Sequence, residues 1–413
     1  MALSVNRALV LILLILDAIA LKAYSKYEGD PKFMKSGVKR NPQNFNIMKP
    51  KEFAEDEESS TREFVSSANP DLRLLNFDED YDFNLLPPRK PGQPVIVNVS
   101  LNLRNVLQVN EITQIVTMEI SIRMNWFDKR IRLSDHALAH MHDDEDFLTL
   151  NPRLGRHFWI PDIFIDQAKD LREPTFHVLP ASLRVHRDSN IRFAARVNFD
   201  VACNMDFRNY PGDTQTCDIK FESFGYTTRQ LNFNWHNSSN VNENISLAQF
   251  DLFVSMNAGY DTDYYEMAYP GLILTLVLKR KLSYHVVQTF IPSIIYLTVS
   301  WLALFVPPQS IAERLAMAMT IMLTLTAMFA SERQSVPRVS YVTHLDVWML
   351  TCVFFVFVEL AEFTFVLHLA MNHKERLTPW VESTAKIVLP ILFITFNIVF
   401  WYRVLSERMS HGV

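Results

Sequence analysis

Leu272-Ile-Leu-Thr-Leu-Val-Leu278-Lys-Arg280-Lys-Leu-Ser283-Tyr-His-Val286-Val-Gln-Thr-Phe290 is where the chain changes its repeat. Up to Leu278, apolar residues sit on alternate positions, with Leu272, Leu274, Leu276 and Leu278 on one face. That is the pattern of a half-buried strand. Past Ser283 the alternation stops. Val286–Val306 is then apolar for about 20 residues, long enough to cross a bilayer as a helix.

On the N-terminal side the two-residue period recurs. Val95, Val97, Val99, Leu101 and Leu103 share one face, and Ile115–Trp126, Ile191–Ala202 and Leu247–Met256 follow the same rule. Turn residues separate these runs and no amphipathic helices alternate with them, so the segment reads as an all-β sandwich or barrel. On the C-terminal side, Pro307-Pro308 closes the first apolar segment, and Ile311–Ser331, Val347–Leu369 and Ala385–Val404 follow as three more.

Residues 1–20 read as a secretory signal peptide: Arg7 supplies the positive region, Ala8–Leu16 the apolar run, and Ala18-Ile19-Ala20 the small-residue cleavage rule. Residues 21–70 are polar and mixed in charge, with the acidic run Glu55–Glu58, and read as a flexible leader. The expected organisation is then an exported β domain over 71–284 and a transmembrane domain over 285–413. Its spans cover 286–306, 311–331, 347–369 and 385–404, with a short inner loop at 370–384. Sequons at Asn98, Asn237 and Asn244 all precede the first span, as a glycosylated outer domain would have them. Four spans after an exported start leave both termini outside, in a multi-pass protein of the plasma membrane surrounded by lipid.

Composition excludes several classes. A net charge of −5 offers no basic field for nucleic acid. No GxxxxGK[ST], HExxH, GxSxG or GxGxxG occurs, no acid–base or nucleophile set presents itself, and no cofactor is implied. His136, His140 and His142 stand beside Asp143-Asp-Glu-Asp146. A solvated loop is the expected reading, with His136 and His140 as candidate zinc or proton ligands beside it.

The second apolar segment differs from the others. At helical spacing, Glu313, Ala316, Thr320, Leu323, Ala327 and Ala330 form one stripe of small, hydroxylated and charged residues. Two readings stay open: a water-filled pore constricted by Leu323, or a bundle helix whose small residues aid packing. Glu359 and Glu362 lie deeper, in the third span, where pairing or protonation within the bundle is expected.

The chain has three cysteines, and Cys352 lies in a span out of easy reach of the others. Cys203 and Cys217, 14 positions apart around Pro211-Gly212, are therefore the expected exported disulfide. Cys203-Asn-Met-Asp-Phe-Arg-Asn-Tyr-Pro-Gly-Asp213-Thr-Gln-Thr-Cys217 closely resembles the signature loop of the pentameric Cys-loop ligand-gated ion channels. Phe221-Glu-Ser-Phe-Gly-Tyr226, Trp159-Ile-Pro-Asp162, Trp126-Phe-Asp128-Lys-Arg130 and Ser335-Val-Pro-Arg-Val-Ser-Tyr341 are similar to the glycine, GABA-A and glutamate-gated-chloride branch.

The resemblance implies an extracellular β-sandwich followed by a four-helix transmembrane bundle. It also implies a homo- or hetero-pentamer with a pore lined by the second helix, and a small-molecule agonist bound between subunits. On the principal face it points to Glu222, Phe224 and Tyr226, with Tyr264 and Tyr269 (and Tyr260) in the segment resembling the capping loop. On the complementary face it points to Arg123, which matches the arginine that pairs a ligand carboxylate; Ser121 and Ala194 depart from the family pattern there. Glu313 stands where anion-selective relatives carry Pro-Ala before the arginine, so a ring of Glu313 carboxylates favours cations. A chloride-selective channel and a non-conducting accessory subunit are the alternatives.

Overall fold

The computed structural model describes residues 73–173, 179–242, 244–264, 267–307, 310–371 and 378–410. The signal peptide and the acidic leader lie outside the described residues. In chain order the strands are β1 (Leu75–Phe77), β2 (Val95–Asn110), β3 (Ile115–Phe127), β4 (Ile131–Leu133), β5 (Phe147–Leu150), β6 (Ile163–Ile165) and β7 (Ala168–Arg172). They continue as β8 (Ala181–His186), β9 (Asn190–Ala202), β10 (Thr214–Ser223), β11 (Leu231–Trp235), β12 (Asn240–Val241), β13 (Phe250–Tyr264) and β14 (Met267–Arg280). The helices are α1 (Asp135–His140), α2 (Ser283–Ala303, continuous through a π turn at Val286–Phe290), α3 (Ile311–Ser335), α4 (His344–Met371) and α5 (Thr378–Ser410).

The larger sheet runs β11-β2-β3-β9-β8-β5, with β12 paired to β2 and β7 to β9; the smaller runs β13-β14-β10-β6. Alternation decides which side of each is dry. Val97, Val99, Leu101 and Leu103 of β2 are buried, as are Val116, Met118 and Ile120 of β3, while Asn98, Asn102, Glu119 and Ser121 point the other way. Leu272, Leu274, Leu276 and Leu278 bring the opposite wall of the same core, beside Ile219 and Phe221. Two sheets closing their apolar faces on one another make a sandwich, the solution that strands of this period reach when one face must leave water.

The Trp126–Arg130 stretch ends β3 with an internal clamp. The buried Asp128 carboxylate accepts from Arg130 Nε at 2.9 Å and Nη2 at 2.8 Å, and the guanidinium lies 4.9 Å from the Tyr81 ring.

Among the described residues, four helices long and apolar enough to cross a membrane follow. Helix α2 stops at Ala303, short of the Pro307 expected to end it, because Leu304, Phe305 and Val306 turn tightly onto Trp301, Leu302 and Ala303. Helix α4 starts at His344, before the apolar stretch, because Thr343 and Asp346 cap it reciprocally. Helix α5 extends the apolar segment 385–404 at both ends, since hydropathy marks only the lipid-facing middle of a longer helix. Its beginning supplies Glu382 to Arg314 and its end supplies Arg408 to the Arg280 carbonyl.

Candidate functional site

Both walls of the candidate ligand site grow from sandwich strands. On the outer face of the larger sheet, Arg123 of β3 lies between Ser100 of β2 and Ala194 of β9. One step along the same face, Asn125 is opposite Arg192, and Arg192 is opposite Arg184 of β8. Arg192 Nε donates to Asn125 Oδ1 at 2.8 Å, and the Arg184 guanidinium stands 4.5 Å from the Phe147 ring. Partial burial, then Arg184 and Arg123, hold the Arg192 guanidinium below its ordinary value. His186 follows on this face, its imidazole lowered by burial and then by Arg192 and Arg184, and its ring 5.3 Å from Phe147. Asp188 and Asp146 act against the arginines at His186, so the like charge concentrates at Arg123, Arg184 and Arg192, a grouping chemically suited to an anion. Ser121 lies toward the other end and accepts from Arg104 Nε at 2.7 Å.

The opposite wall forms where β10 ends. Asp162 accepts from Ser223 Oγ at 2.7 Å and from the Gly225 N–H at 2.6 Å, and the Tyr226 N–H donates to Ser223 Oγ at 3.0 Å. That knot folds the Glu222–Tyr226 segment into a fixed turn and turns Phe224 outward, 80% exposed, edge-on to Phe164. Tyr226 is half-buried, and its hydroxyl accepts from Trp159 Nε1 at 3.2 Å. Glu222 is buried and accepts from Thr262 Oγ1 of β13 at 3.0 Å. Tyr269 is half-buried opposite Thr262. The side chains of Tyr260 and Tyr264 lie outside the described residues.

The sandwich meets the helices at the disulfide loop. Cys203 and Cys217 are bonded, with Cα atoms 5.3 Å apart. Arg280, the last residue of β14, donates to Asp213 of this loop at 2.7 Å and 3.1 Å and to Glu111 at 2.6 Å. Its guanidinium stacks between Tyr210 at 4.7 Å and Phe250 at 4.6 Å. Burial alone would lower that guanidinium, but the bonds to Asp213 and Glu111 outweigh it and hold it above the ordinary arginine value. The loop grips the helices through Phe207 N–H to Tyr341 Oη at 2.9 Å, Leu345 N–H to the Tyr210 carbonyl at 3.1 Å, and His344 N–H to the Arg208 carbonyl at 3.1 Å. Glu332 of α3 accepts from Thr289 of α2, and Arg333 pairs with Asp346 of α4. A displacement of β14 or the loop therefore has a bonded route to α3.

Helix α3 presents one exposed stripe. Glu313, Ala316, Thr320, Leu323 and Ala327 are all exposed, Leu323 at 72%, whereas Ala318, Ile321 and Leu325 are buried against the bundle. Thr320 donates to the Ala316 carbonyl at 2.7 Å, leaving its oxygen lone pairs outward. Arg314 turns the other way, buried and bonded to Glu382 at 2.8 Å and to the Val306 carbonyl.

Asn237 and Asn244 are exposed, while Asn98 is half-buried within β2. His136 and His140 stack at 4.4 Å on the exposed α1, and among the described residues no group of three or more His, Cys, Asp or Glu side chains converges to hold a metal. Sequence reasoning missed Arg184, Arg192 and His186. The alternation already read over Ile191–Ala202 puts Arg192 on the face of Ala194, but joining it to Arg123 requires the strand pairing.

Residues 72–282 match the family model of the neurotransmitter-gated ion-channel ligand binding domain, and residues 289–395 match that of the neurotransmitter-gated ion-channel transmembrane region. Proteins of this family are channels, not enzymes, and form pentameric assemblies that bind small-molecule ligands. The chain belongs to the neurotransmitter-gated ion channels, as a multi-pass membrane subunit with an extracellular ligand-binding domain.

Proposed function

We propose that the subunit forms a cation-conducting channel, opened by a small extracellular ligand that carries an anionic group and binds between neighbouring subunits. The observation that carries the cation reading is the opposite orientation of two adjacent residues. Glu313 is exposed on the stripe with Ala316, Thr320, Leu323 and Ala327, while Arg314 is folded into the bundle against Glu382. With five copies around an axis, carboxylates rather than guanidiniums line the inner mouth, where they attract cations and repel chloride. The outward apolar Leu323 supports a dewetting constriction midway along the same stripe.

The ligand reading rests on Arg123, Arg184 and Arg192 on one wall and Phe224 and Tyr226 on the other, with Tyr264 and Tyr269 assigned to the capping segment. Its working cycle starts with closure of the hairpin β13–β14 over the ligand. Arg280 and the disulfide loop pass that movement to Val336–Tyr341, and α3 tilts.

The test is the reversal potential of agonist-evoked current under replacement of sodium and then of chloride. A potential that follows sodium, and turns toward chloride when Ala312-Glu313 is replaced by Pro-Ala, supports the proposal. A wild-type potential that follows chloride overturns the cation reading. Silence of the homomer with rescue by a second subunit assigns this chain an accessory role.

A further inference from the structure

Helix α4 carries two glutamates one turn apart, Glu359 and Glu362, inside the apolar span His344–Leu369. Glu359 is enclosed by protein on every side. Both carboxylate oxygens of Glu359, and both of Glu362, are buried without a hydrogen-bond donor. An anion in that position has lost its water and gained nothing in return, a state that membrane interiors do not tolerate.

The surrounding helices show what is missing. Helix α2 faces Glu359 with Ser300, whose hydroxyl already donates to the Leu297 carbonyl at 2.9 Å. With that proton on Leu297, the Ser300 oxygen has lone pairs that can accept from a carboxylic acid O–H. The charged groups around Glu362 are Glu382 and Lys386 of α5, Arg314 of α3, and Glu359 itself. Arg314 is bonded to Glu382 and to the Val306 carbonyl, and the Lys386 ammonium stands 5.3 Å from the Phe305 ring. Carboxyl groups thus outnumber cations in the cluster, and the one guanidinium is already matched. Because the Glu359 carboxyl is fully enclosed, its ligand must be one that needs no cavity, which excludes hydrated metal ions and organic ammonium groups.

We infer that Glu359 and Glu362 form a proton-binding site within the bundle of each subunit, in the half of the membrane remote from the sandwich. Glu359 donates its proton to Ser300, and Glu362 holds one against Glu382. Losing the Glu362 proton places an anion beside Arg314, in competition with Glu382 for the residue that anchors the start of α3. Proton release from this site therefore alters channel opening from the cytoplasmic side.

The test uses infrared spectra of the purified full-length assembly in lipid nanodiscs. Ordinary exposed Asp and Glu are ionised at neutral pH, so a protonated-carboxyl C=O band there reports unusual groups. The expected result is such a band in the wild type, reduced in Glu359→Gln and in Glu362→Gln and further reduced in the double variant, with assembly unchanged by size exclusion. A wild type with no band at neutral pH overturns the site without need of any variant, and a band unaffected by the double substitution overturns it equally. In inside-out patches, raising the bath pH on the cytoplasmic face shifts the wild-type agonist response and leaves the double variant in place. An equal shift in both overturns the link to gating. The infrared result does not depend on which ion permeates or which ligand opens the channel.

Discussion

Arg280 Nε lies 2.7 Å from Asp213 Oδ1, joining the last residue of β14 to the disulfide loop. Both side chains are 2% exposed. The strand that reaches up to the ligand wall and the loop that rests on the pore-helix connections are therefore locked by a dry, charged contact. Buried pairs of this sort add little net stability when whole, but removing one member strands the other.

Replacing Arg280 by Gln leaves the buried Asp213 and the half-buried Glu111 without their cation. The expected cost is about 3–5 kcal/mol, read as loss of surface subunits by biotinylation. Arg280→Lys keeps the charge but not the fork, and subunits that reach the surface should show a right-shifted agonist response. Wild-type expression and sensitivity in Arg280→Gln would refute a coupling role.

Loss of the disulfide through Cys203→Ser with Cys217→Ser should destabilise the ectodomain by about 3 kcal/mol, the chain-entropy value for a loop of this length. The check is the thermal unfolding midpoint of the detergent-solubilised protein, wild type against double variant. The fall should be matched when the wild type is reduced and should not deepen when the variant is reduced.

Arg192→Ala removes one of three guanidiniums that crowd the larger sheet's outer face. A charge-assisted hydrogen bond to an anionic ligand is worth about 1.5–3 kcal/mol, so the concentration for half-maximal current should rise roughly 10- to 150-fold. Arg104→Ala, on the same sheet but bonded to Ser121, should leave it within about threefold. Equal effects of the two would argue against a ligand contact at Arg192.

His186 gives the same face a pH dependence. Burial, with Arg192 and Arg184, holds its imidazole below the ordinary value against the opposing pull of Asp188 and Asp146. The unfolded chain takes up this proton first, so the stability the neutral ring contributes is present above about 6.5 and is lost as pH falls through the lower folded value. An anionic ligand beside the ring reverses the local field and favours the imidazolium. Agonist binding should therefore be accompanied by proton uptake and strengthen as external pH falls through the histidine range. Concentration–response curves at several pH values would show this, and His186→Gln should flatten the trend.

Leu323→Asp puts five carboxylates at the apolar constriction. A hydrated ring cannot dewet, so current without agonist is expected. Unchanged closure would exclude Leu323 as the gate.

Much of this architecture is written in local periods. A two-residue alternation is enough to say that Val97 and Leu101 share a dry face with each other and not with Asn98, and about 20 apolar residues are enough to say that a segment crosses a bilayer. The orientation of Glu313 against Arg314 also follows from helical spacing alone, because adjacent residues on a helix point about 100° apart. The Cys203–Cys217 pair was visible because no third exported cysteine competes for either partner.

What the tertiary structure decided is every relationship between distant segments. Arg123, Arg184 and Arg192 come from three strands, and only their register makes them one cluster. Glu222 was legible as a neighbour of Phe224, yet its burial depends on Thr262 arriving from β13. The early start of α5 follows from Arg314 needing a carboxylate, a demand that hydropathy does not register. Glu359 stood out in an apolar span, but that Ser300, whose hydroxyl donates to the Leu297 carbonyl, stands beside it is known only once α2 packs against α4. Periodicity is a property of the backbone and its neighbours in sequence; pairing, burial and charge balance are properties of whatever the fold brings alongside.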